Sequence, residues 1–226
     1  SFNKKPFFGQ DIKKMESVII DDLYVSGKNK GIYHKIDIVD DYIDMIKSQI
    51  NIDREISCVM DCGNSVGGLV APYLFKELGI NVTEIYCDID PDFPNHHPDP
   101  TVDANLSDII SKIKLSSYDL GVAFDGDADR IVALDEKGSI IRPDILLALF
   151  IPSIINKGDS IVYDVKCSKA LEDMIQKYKG NPIMYKTGHS LIKNKMIESK
   201  SKLGGEMSGH IFFADRYYGY DDGIYV

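Results

Sequence analysis

Short, largely apolar runs recur along this chain, and most are followed by a glycine-rich turn or by a segment of helical periodicity. Apolar runs of this kind are typical of strands that are buried on both faces of a sheet. The segments between them carry apolar residues three and four positions apart, which is the spacing of one helix face. This alternation predicts an α/β fold with a mainly parallel sheet. The predicted strands cover residues 56–61, 81–87, 119–125, 160–165 and 182–187.

The alternation occurs twice, so we predict consecutive three-layer α/β/α domains with mixed, mainly parallel sheets. The first domain covers residues 37–138 and the second covers residues 139–226. Residues 1–36 contain one helical pattern and then the polar link SGKNKG, which is typical of a domain boundary. The Pro-, His- and Asp-rich segment 88–102 is predicted to be a loop, because proline lacks the backbone donor that a helix interior or a central strand requires.

The charge balance and the apolar content exclude two classes of protein. The chain has 35 acidic and 26 basic residues, whereas a nucleic-acid surface normally needs clustered positive charge. No apolar stretch approaches the roughly 18 residues that span a bilayer, and the N-terminal segment SFNKKPFFGQ lacks the apolar core of a signal peptide. We therefore expect a cytoplasmic protein that binds neither nucleic acid nor membranes and whose four cysteines are free thiols.

The segment FDGDADR, residues 124–130, carries the strongest indication of chemistry. Asp125, Asp127 and Asp129 lie two positions apart and directly follow a predicted buried strand. Open α/β sheets usually bind ligands at this carboxyl edge of their strands. Crowded carboxylates repel one another, and a hard divalent cation with oxygen ligands relieves that repulsion. We therefore predict a Mg²⁺ site, beside which the planar guanidinium of Arg130 suits phosphate oxygens.

The same segment permits other interpretations besides a magnesium site. An EF-hand has its glutamate at the twelfth loop position, where Glu136 lies, but its sixth position is Arg130 rather than glycine and its flanks are predicted strands. A haloacid-dehalogenase-type phosphatase also begins with a strand and an Asp-x-Asp pair. It normally has Thr or Val where this chain has Asp129, and it stays an alternative. A metal-binding module without enzymatic activity is a further alternative.

Three later segments carry polar side chains at places where a ligand could bind. In GGEMSGH, the side chains of Glu206, Ser208 and His210 alternate and would project to one side of an extended segment, where they can bind vicinal hydroxyls. In KTGHSLIK, His189 lies where a strand turns into a helix, and such a helix start offers backbone donors to anions. In DVKCS, Lys166 lies at the end of a strand.

In their order along the chain, DGDADR, DVKCS, KTGHSLIK, GEMSGH and RYYGYDDGIY closely resemble the α-D-phosphohexomutase superfamily, and most closely bacterial phosphomannomutase/phosphoglucomutase. VMDCGNSVGG and FPNHHPDPT resemble that family's second domain. The resemblance implies a four-domain enzyme in which residues 1–36 end domain one, residues 37–138 form domain two and residues 139–226 form most of domain three. Because the chain starts without Met and stops at GIYV, we expect it to lack domains one and four.

The resemblance also implies a role for each candidate residue. Asp125, Asp127 and Asp129 would bind Mg²⁺ together with the phosphate of a catalytic phosphoserine, and Arg130 would lie beside that phosphate. Glu206 and Ser208 would bind the third and fourth hydroxyls of the sugar. The same pocket would be lined by Thr187, Gly188, His189 and His210. The catalytic group would comprise Arg130, Lys166 and His210, with the general acid/base left open among Lys166, His189 and His210.

The implied reaction interconverts mannose 6-phosphate and mannose 1-phosphate, or the glucose equivalents, through a hexose 1,6-bisphosphate. The family's phosphoserine loop is absent from this chain, so we expect the chain alone to be inactive. Ala128 replaces the usual glycine of the metal loop, and if this position has a positive φ the alanine adds about 1 kcal/mol of strain. Ile145 stands where some relatives have arginine, which weakens any claim of a phosphate contact there.

Overall fold

The computed structural model describes residues 7–24, 27 and 31–226. The α-helices of this part are α1 (Gln10–Ile20), α2 (Val39–Lys47), α3 (Ala71–Glu77), α4 (Ser107–Leu115), α5 (Pro143–Ile154), α6 (Lys169–Lys177) and α7 (His189–Ser199). Its strands are β1 (Ser57–Asp61), β2 (Asn81–Ile85), β3 (Leu120–Phe124), β4 (Ile131–Leu134), β5 (Ile140–Ile141), β6 (Ser160–Asp164), β7 (Asn181–Tyr185), β8 (Leu203–Gly205) and β9 (Ile211–Phe213).

The strands form two mixed sheets of the same topology. The first has the order β2-β1-β3-β4-β5 and the second has the order β7-β6-β8-β9. In each sheet the first three strands are parallel, and an antiparallel strand follows the third. The predicted pair of α/β domains is therefore confirmed.

Helices cover both faces of each sheet because the strands are apolar on both sides. In the first domain, residues of β1 and β3 that alternate along each strand pack against α3 on one face and α4 on the other, as the two-residue period of a strand requires. In the second domain, α5 and α6 cover one face and α7 covers the other. The side chains that α4 and α7 contribute are Ile109, Ile113, Ile192 and Met196.

Several boundaries differ from those predicted. The sequence pattern after the first strand predicts a single helix over residues 66–78. The structure divides this range into a 3₁₀ turn (Val66–Leu69) and α3, because Val70 has non-helical backbone angles and Pro72 lies in the first turn of α3. The apolar stripe of α1 is present, but no residue of this helix is buried in the described structure. Segment 88–102 contains neither helix nor strand, as predicted. Most of the SGKNKG link lies outside the described residues.

The sequence also led to predictions about membrane-spanning helices and about the four cysteines. Among the described residues, no helix combines the length and the apolar character needed to cross a bilayer. All four cysteines are free thiols in the structure, as the sequence led us to expect.

Candidate functional site

Two loops at the carboxyl ends of the parallel strands bring most of the candidate residues together. The metal loop (residues 125–130) joins β3 to β4, and the sugar loop (residues 206–210) joins β8 to β9. Each loop begins with a carboxylate that directly follows a buried strand, and the exposed fraction of both Asp125 and Glu206 is only 2%. Both acids therefore need polar partners inside the protein.

The metal loop is a tight turn that gathers three carboxylates. Oxygen atoms of Asp125, Asp127 and Asp129 lie within 4.8 Å of one another. The N–H of Ala128 donates to the carbonyl of Asp125 at 3.2 Å, and Ala128 has φ +61°. Ala128 therefore has the positive φ that we expected to cause strain, since alanine in the left-handed region costs about 1 kcal/mol relative to glycine.

Arg130 neutralises the buried carboxylate of the metal loop. Its backbone N–H donates to Oδ1 of Asp125 at 3.0 Å, and its Nε donates to Oδ2 at 2.6 Å. Burial raises the pKa of Asp125 above its ordinary value although these bonds to Arg130 oppose the rise. Arg130 Nη1 also contacts Asp99 at 3.3 Å, so the guanidinium is held from two sides.

The donor set of the metal loop fits a hard divalent cation. Asp127 is exposed at the mouth of the loop, and each oxygen of Asp125 accepts a single hydrogen bond and retains a second lone pair. Three carboxylates without nitrogen or sulfur ligands favour Mg²⁺ or a similar ion over a transition metal. The structure therefore brings the three predicted metal ligands together in an arrangement that suits the predicted ion.

The sugar loop is a turn rather than the extended segment that we predicted. The N–H of Gly209 donates to the carbonyl of Glu206 at 3.1 Å, and Gly209 has φ +102°. The side chains of Glu206, Ser208 and His210 nevertheless converge, because the turn folds them around one imidazole. His210 Nδ1 lies 3.1 Å from Glu206 Oε2 and 2.9 Å from Ser208 Oγ.

His210 joins the sugar loop to the metal loop. Its other ring nitrogen, Nε2, lies 3.3 Å from Oδ1 of Asp129. Burial opposes a charge on the ring, but the bonds to Asp129 and Glu206 outweigh burial and raise the pKa of His210 to about 9. For Asp129 the two influences have the opposite signs. Burial would raise the pKa of this carboxyl, but the bond from His210 outweighs burial and lowers the pKa below its ordinary value. The imidazolium is therefore held between one carboxylate from each loop.

The backbones of the two loops are also in direct contact. The N–H of Ile131, which follows the metal loop, donates to the carbonyl of Gly209 at 3.2 Å. A Cβ atom on Gly209 would lie 3.0 Å from the carbonyl oxygen of Ile131 and 3.3 Å from Cβ of Arg130. Glycine is required at this position both by its positive φ and by the close approach of the metal loop.

The TGHS segment completes the same pocket. Gly188 donates its N–H to Oε1 of Glu206, and the ring of His189 stacks on that of His210 with centroids 5.3 Å apart. Thr187 Oγ1 donates to Oδ2 of Asp164 at 2.8 Å. His189 is the first residue of α7, so the predicted strand-to-helix turn lies where we expected it.

Lys166 lies in a cleft beside the sugar loop. The cleft is lined by Thr101, Val132, Ile140, Arg142, Pro143, Lys166, Met207 and Ser208. Lys166 is exposed, whereas Arg142 is bound by both oxygens of Asp103 at 2.7 Å. Ser208 therefore belongs both to the His210 cluster and to the wall of the Lys166 cleft.

Sequence reasoning missed two aspartates at this site. Asp164 is fully buried at the end of β6 and accepts hydrogen bonds from Thr187, from the N–H of Met207 and from the thiol of Cys167. Asp221 binds His189, and the sequence indicates it only as part of the segment RYYGYDDGIY. In the sequence, Asp164 is indicated only as the single acid that ends an apolar strand. Asp221 is indicated as the first of two consecutive aspartates after an aromatic segment.

A second group of possible metal ligands lies within the pocket. Ligand atoms of His189, His210 and Asp221 lie within 4.8 Å of one another. However, the ammonium of Lys193 already contacts Oδ1 of Asp221 at 2.7 Å and His189 Nδ1 at 3.2 Å. This cation already contacts two of the three ligand groups and would repel a metal ion, so the group does not favour a metal ion in the way that the metal loop does.

Comparisons with known proteins find matches to both domains of the chain. A family model described as phosphoglucomutase/phosphomannomutase, alpha/beta/alpha domain II, matches residues 40–138, and the corresponding domain III model matches residues 142–226. A phosphomannomutase/phosphoglucomutase from Pseudomonas aeruginosa is 48% identical over 197 residues, which are 86% of this chain and 42% of that protein. A phosphoglucomutase from Neisseria gonorrhoeae is 41% identical over 220 residues, which are 96% of this chain and 48% of that protein.

A solved structure is similar to both domains together. The crystal structure of a phosphoglucomutase/phosphomannomutase family protein from Burkholderia thailandensis superimposes with a TM-score of 0.93 at 44% identity, and it covers 96% of this chain and 48% of that one. The chain thus spans about half the length of the curated relatives and the structure that it matches.

Proposed function

Because the chain belongs to the phosphoglucomutase/phosphomannomutase family, we propose that it forms the metal-binding and sugar-binding half of a hexose-phosphate mutase. The observation that carries this proposal is the position of His210, which lies between Asp129 of the metal loop and Glu206 of the sugar loop. A cation site and a polyol site that share one imidazole can place a transferring phosphoryl group next to a sugar hydroxyl.

The reaction that we propose for the whole protein is intramolecular phosphotransfer on hexose phosphates. It would interconvert the 6- and 1-phosphates of mannose and of glucose through an enzyme phosphoserine and a hexose 1,6-bisphosphate. The names of the Pseudomonas and Neisseria relatives support this substrate class. The phosphoserine and a further substrate-binding domain would come from the half of the relatives' length that this chain does not match.

The metal loop would hold Mg²⁺ through Asp125, Asp127 and Asp129. When bound, the ion supplies positive charge that neutralises the oxygens of the phosphoryl group. Arg130 contributes a second positive charge, and its bonds to Asp125 and Asp99 fix the guanidinium before the substrate arrives. Such preorganised charge stabilises a transition state without any cost of reorganisation at the moment of reaction.

The sugar pocket would bind hydroxyls and control one proton. Glu206 and Ser208 would bind the third and fourth hydroxyls, with Thr187, Gly188 and His189 completing the pocket wall. Because these groups bind hydroxyls away from carbon two, both gluco and manno epimers fit. Of the three acid/base candidates, His210 has a carboxylate at each ring nitrogen, an arrangement that favours a protonated ring able to donate its proton.

Calorimetry on the chain as it stands tests the binding half of this proposal. Mg²⁺ is titrated first, followed by mannose 1-phosphate and glucose 1-phosphate. Asp127→Asn should abolish metal binding because it replaces the exposed carboxylate of the donor set. Glu136→Gln is the matched control, since Glu136 is exposed in the β4–β5 turn and would matter only in an EF-hand. Metal binding without any affinity for a sugar phosphate would instead favour the metal-binding module.

Activity in the full-length enzyme tests the catalytic half. Asp127→Asn should abolish isomerisation of mannose 6-phosphate and glucose 6-phosphate, and undiminished turnover would contradict the assignment. The alternative phosphatase is disfavoured by geometry, because its nucleophile, Asp125, is almost fully buried and has both oxygens bonded to Arg130. Release of inorganic phosphate by this chain alone, together with a trapped phospho-aspartate, would restore that alternative.

A further inference from the structure

Three consecutive residues that follow β9, Asp221, Asp222 and Gly223, contact both halves of the site. We call them the 221–223 segment. The backbone of Asp221 pairs with Phe212 in an isolated antiparallel bridge, so the start of this segment is fixed to β9. Phe212 in turn lies parallel to the ring of His210, with centroids 6.4 Å apart. The segment is therefore anchored next to the sugar loop.

Asp221 binds the sugar-pocket face of α7. Its Oδ2 lies 2.9 Å from Nδ1 of His189, and its Oδ1 accepts a hydrogen bond from Lys193 at 2.7 Å. The side chain of Asp221 is only 8% exposed, and Lys193 supplies the cation that such a buried carboxylate needs. A carboxylate accepts hydrogen bonds only, so Asp221 favours the form of His189 that carries a proton on Nδ1. The ammonium of Lys193, which can only donate, lies at a longer distance of 3.2 Å from the same nitrogen and opposes this form.

Asp222 fixes the segment to the first domain. Its carboxylate accepts hydrogen bonds from the hydroxyl of Tyr42 in α2, at 3.0 and 3.1 Å, and from the hydroxyl of Tyr217. It also accepts hydrogen bonds from the backbone N–H groups of Ile224 and Tyr225. One side chain thus joins α2 of the first domain to the end of the second.

Gly223 lies directly on the metal loop. Its N–H donates to the carbonyl of Ala128 at 2.9 Å. A Cβ atom on Gly223 would lie 2.8 Å from the carbonyl oxygen of Arg130 and 3.0 Å from that of Ala128. Both neighbours are backbone atoms that cannot move aside without displacing the loop, so only glycine permits this contact.

We propose that Asp221 is a positioning residue for His189, and that the 221–223 segment sets the sugar pocket in place against the metal loop. This inference rests on the proposed function only in naming the pocket after a sugar. With the proton on Nδ1, the lone pair of Nε2 on the opposite side of the ring is free to accept a hydrogen bond from a hydroxyl. Asp221, the closer of the two groups that face Nδ1, therefore favours a His189 that accepts at its free nitrogen, without itself contacting the substrate.

Nitrogen NMR of the histidine rings tests the role of Asp221 directly. The wild-type chain should show His189 with its proton on Nδ1. In Asp221→Asn the amide group can donate to Nδ1, so the proton should move to Nε2 in a large fraction of molecules. Asp215→Asn is the matched control, because Asp215 lies in the same connection but pairs with its neighbour Arg216 rather than with a histidine. An unchanged His189 tautomer in Asp221→Asn would overturn the proposal.

Calorimetry separates positioning from a general loss of structure. Asp221→Asn should weaken binding of mannose 1-phosphate roughly three- to tenfold, the effect of one misdirected hydrogen bond, and leave Mg²⁺ affinity within about twofold of wild type. Equal losses for both ligands would contradict a positioning role. If the wild-type chain binds no sugar phosphate, the proposed function fails for this chain, whereas the tautomer still decides whether Asp221 positions His189.

Gly223→Ala tests the other end of the segment. Because the new methyl group would displace the metal loop, the Kd for Mg²⁺ should rise about tenfold, as is typical when support of a metal site is lost. Gly31→Ala is the control, since a Cβ on Gly31 meets no atom of the described residues within 4 Å. Tyr42→Phe is a milder variant that removes one bond to Asp222, and it should weaken Mg²⁺ binding about twofold. Wild-type Mg²⁺ affinity in both Gly223→Ala and Tyr42→Phe would overturn this part of the proposal.

Discussion

The metal loop and the sugar loop are built on the same backbone plan. Each follows the third strand of its sheet, begins with a buried acid (Asp125 or Glu206) and closes with a hydrogen bond from its fourth residue to the carbonyl of its first. The fourth residue has a positive φ in both loops. Each loop ends with a basic residue, Arg130 or His210, directly before the antiparallel strand.

The two loops differ in the side chains that this backbone presents. The metal loop adds two more carboxylates and ends with an arginine that is charged at every accessible pH. The sugar loop adds a serine and ends with a histidine, which can gain or lose a proton. The first set suits a cation, whereas the second would exchange hydrogen bonds with the neutral polyol that we propose as ligand. One strand–turn–strand unit can thus present two different sets of side chains, each suited to its own chemistry.

The largest expected effect on stability comes from removing a buried acid at a strand end. We compare Asp164, at the end of β6, with Asp61, at the end of β1. Asp164→Ala should lower the free energy of unfolding of the second domain by about 4 kcal/mol, because the donors on Thr187, Met207 and Cys167 all lose their acceptor. Asp61→Ala should cost the first domain only about 2 kcal/mol, since it releases one backbone N–H and a histidine that can turn toward solvent.

Urea unfolding followed by circular dichroism measures this difference. Asp173→Ala is the control, because Asp173 is exposed on α6 and its pairing with Lys169 contributes at most about 0.5 kcal/mol. Equal costs for Asp61→Ala and Asp164→Ala would show that these two strand ends are equivalent in spite of their different partners.

The second prediction contrasts the basic residues that end the loops. In the metal-free chain, His210 has a pKa of about 9 against an ordinary value of 6.5, so its charged form stabilises the fold by about 3 kcal/mol. Because the folded pKa is raised, this contribution is fully present below pH 6.5 and disappears as the pH rises through about 9. Arg130 does not titrate in this range and contributes no such dependence.

Unfolding free energies measured between pH 6 and 10 with a chelator present check the sign. His210→Gln should abolish most of the loss of stability between pH 7 and 9. A loss of equal size in the variant would place the titrating group elsewhere.

The third prediction concerns the positive φ of the sugar loop. Gly209→Ala should destabilise the second domain by about 2 kcal/mol, because the new Cβ combines backbone strain with a 3.0 Å contact to the carbonyl of Ile131. The same change should weaken Mg²⁺ binding, since the contact lies on the metal loop. Thermal unfolding and calorimetry measure the two effects, and a destabilised variant with unchanged Mg²⁺ affinity would indicate that the loops are not coupled.

The smallest expected effect comes from the equivalent position in the metal loop. Ala128→Gly relieves about 1 kcal/mol of left-handed strain but removes a buried methyl group worth about 0.8 kcal/mol. We therefore expect the free energy of unfolding to change by less than about 0.5 kcal/mol. A large gain in stability would mean that the methyl group of Ala128 contributes little packing.

Local patterns in the sequence predicted most of the fold and one half of the site. The predicted strands and helices are present, apart from ends that shift by a few residues and the division before α3. The three aspartates could be grouped in advance because a single short turn after β3 gathers residues that are neighbours in the chain. The side chains of the sugar loop converge, as the sequence predicted, but its backbone is a turn rather than an extended segment, since Gly209 allows a turn that alternation alone does not indicate.

Hydrophobic period, turn residues and charge spacing act between close neighbours in the chain, so they suffice to predict the order of the elements and the composition of each loop. They do not predict that His210 lies between Asp129 and Glu206, that Asp221 binds His189, or that Gly223 contacts the metal loop. These contacts join residues from different loops, and they exist because two sheets with buried faces pack so that their carboxyl edges meet. The pKa of His210 belongs to the same category, since it depends on burial and on carboxylates that no local pattern places beside it.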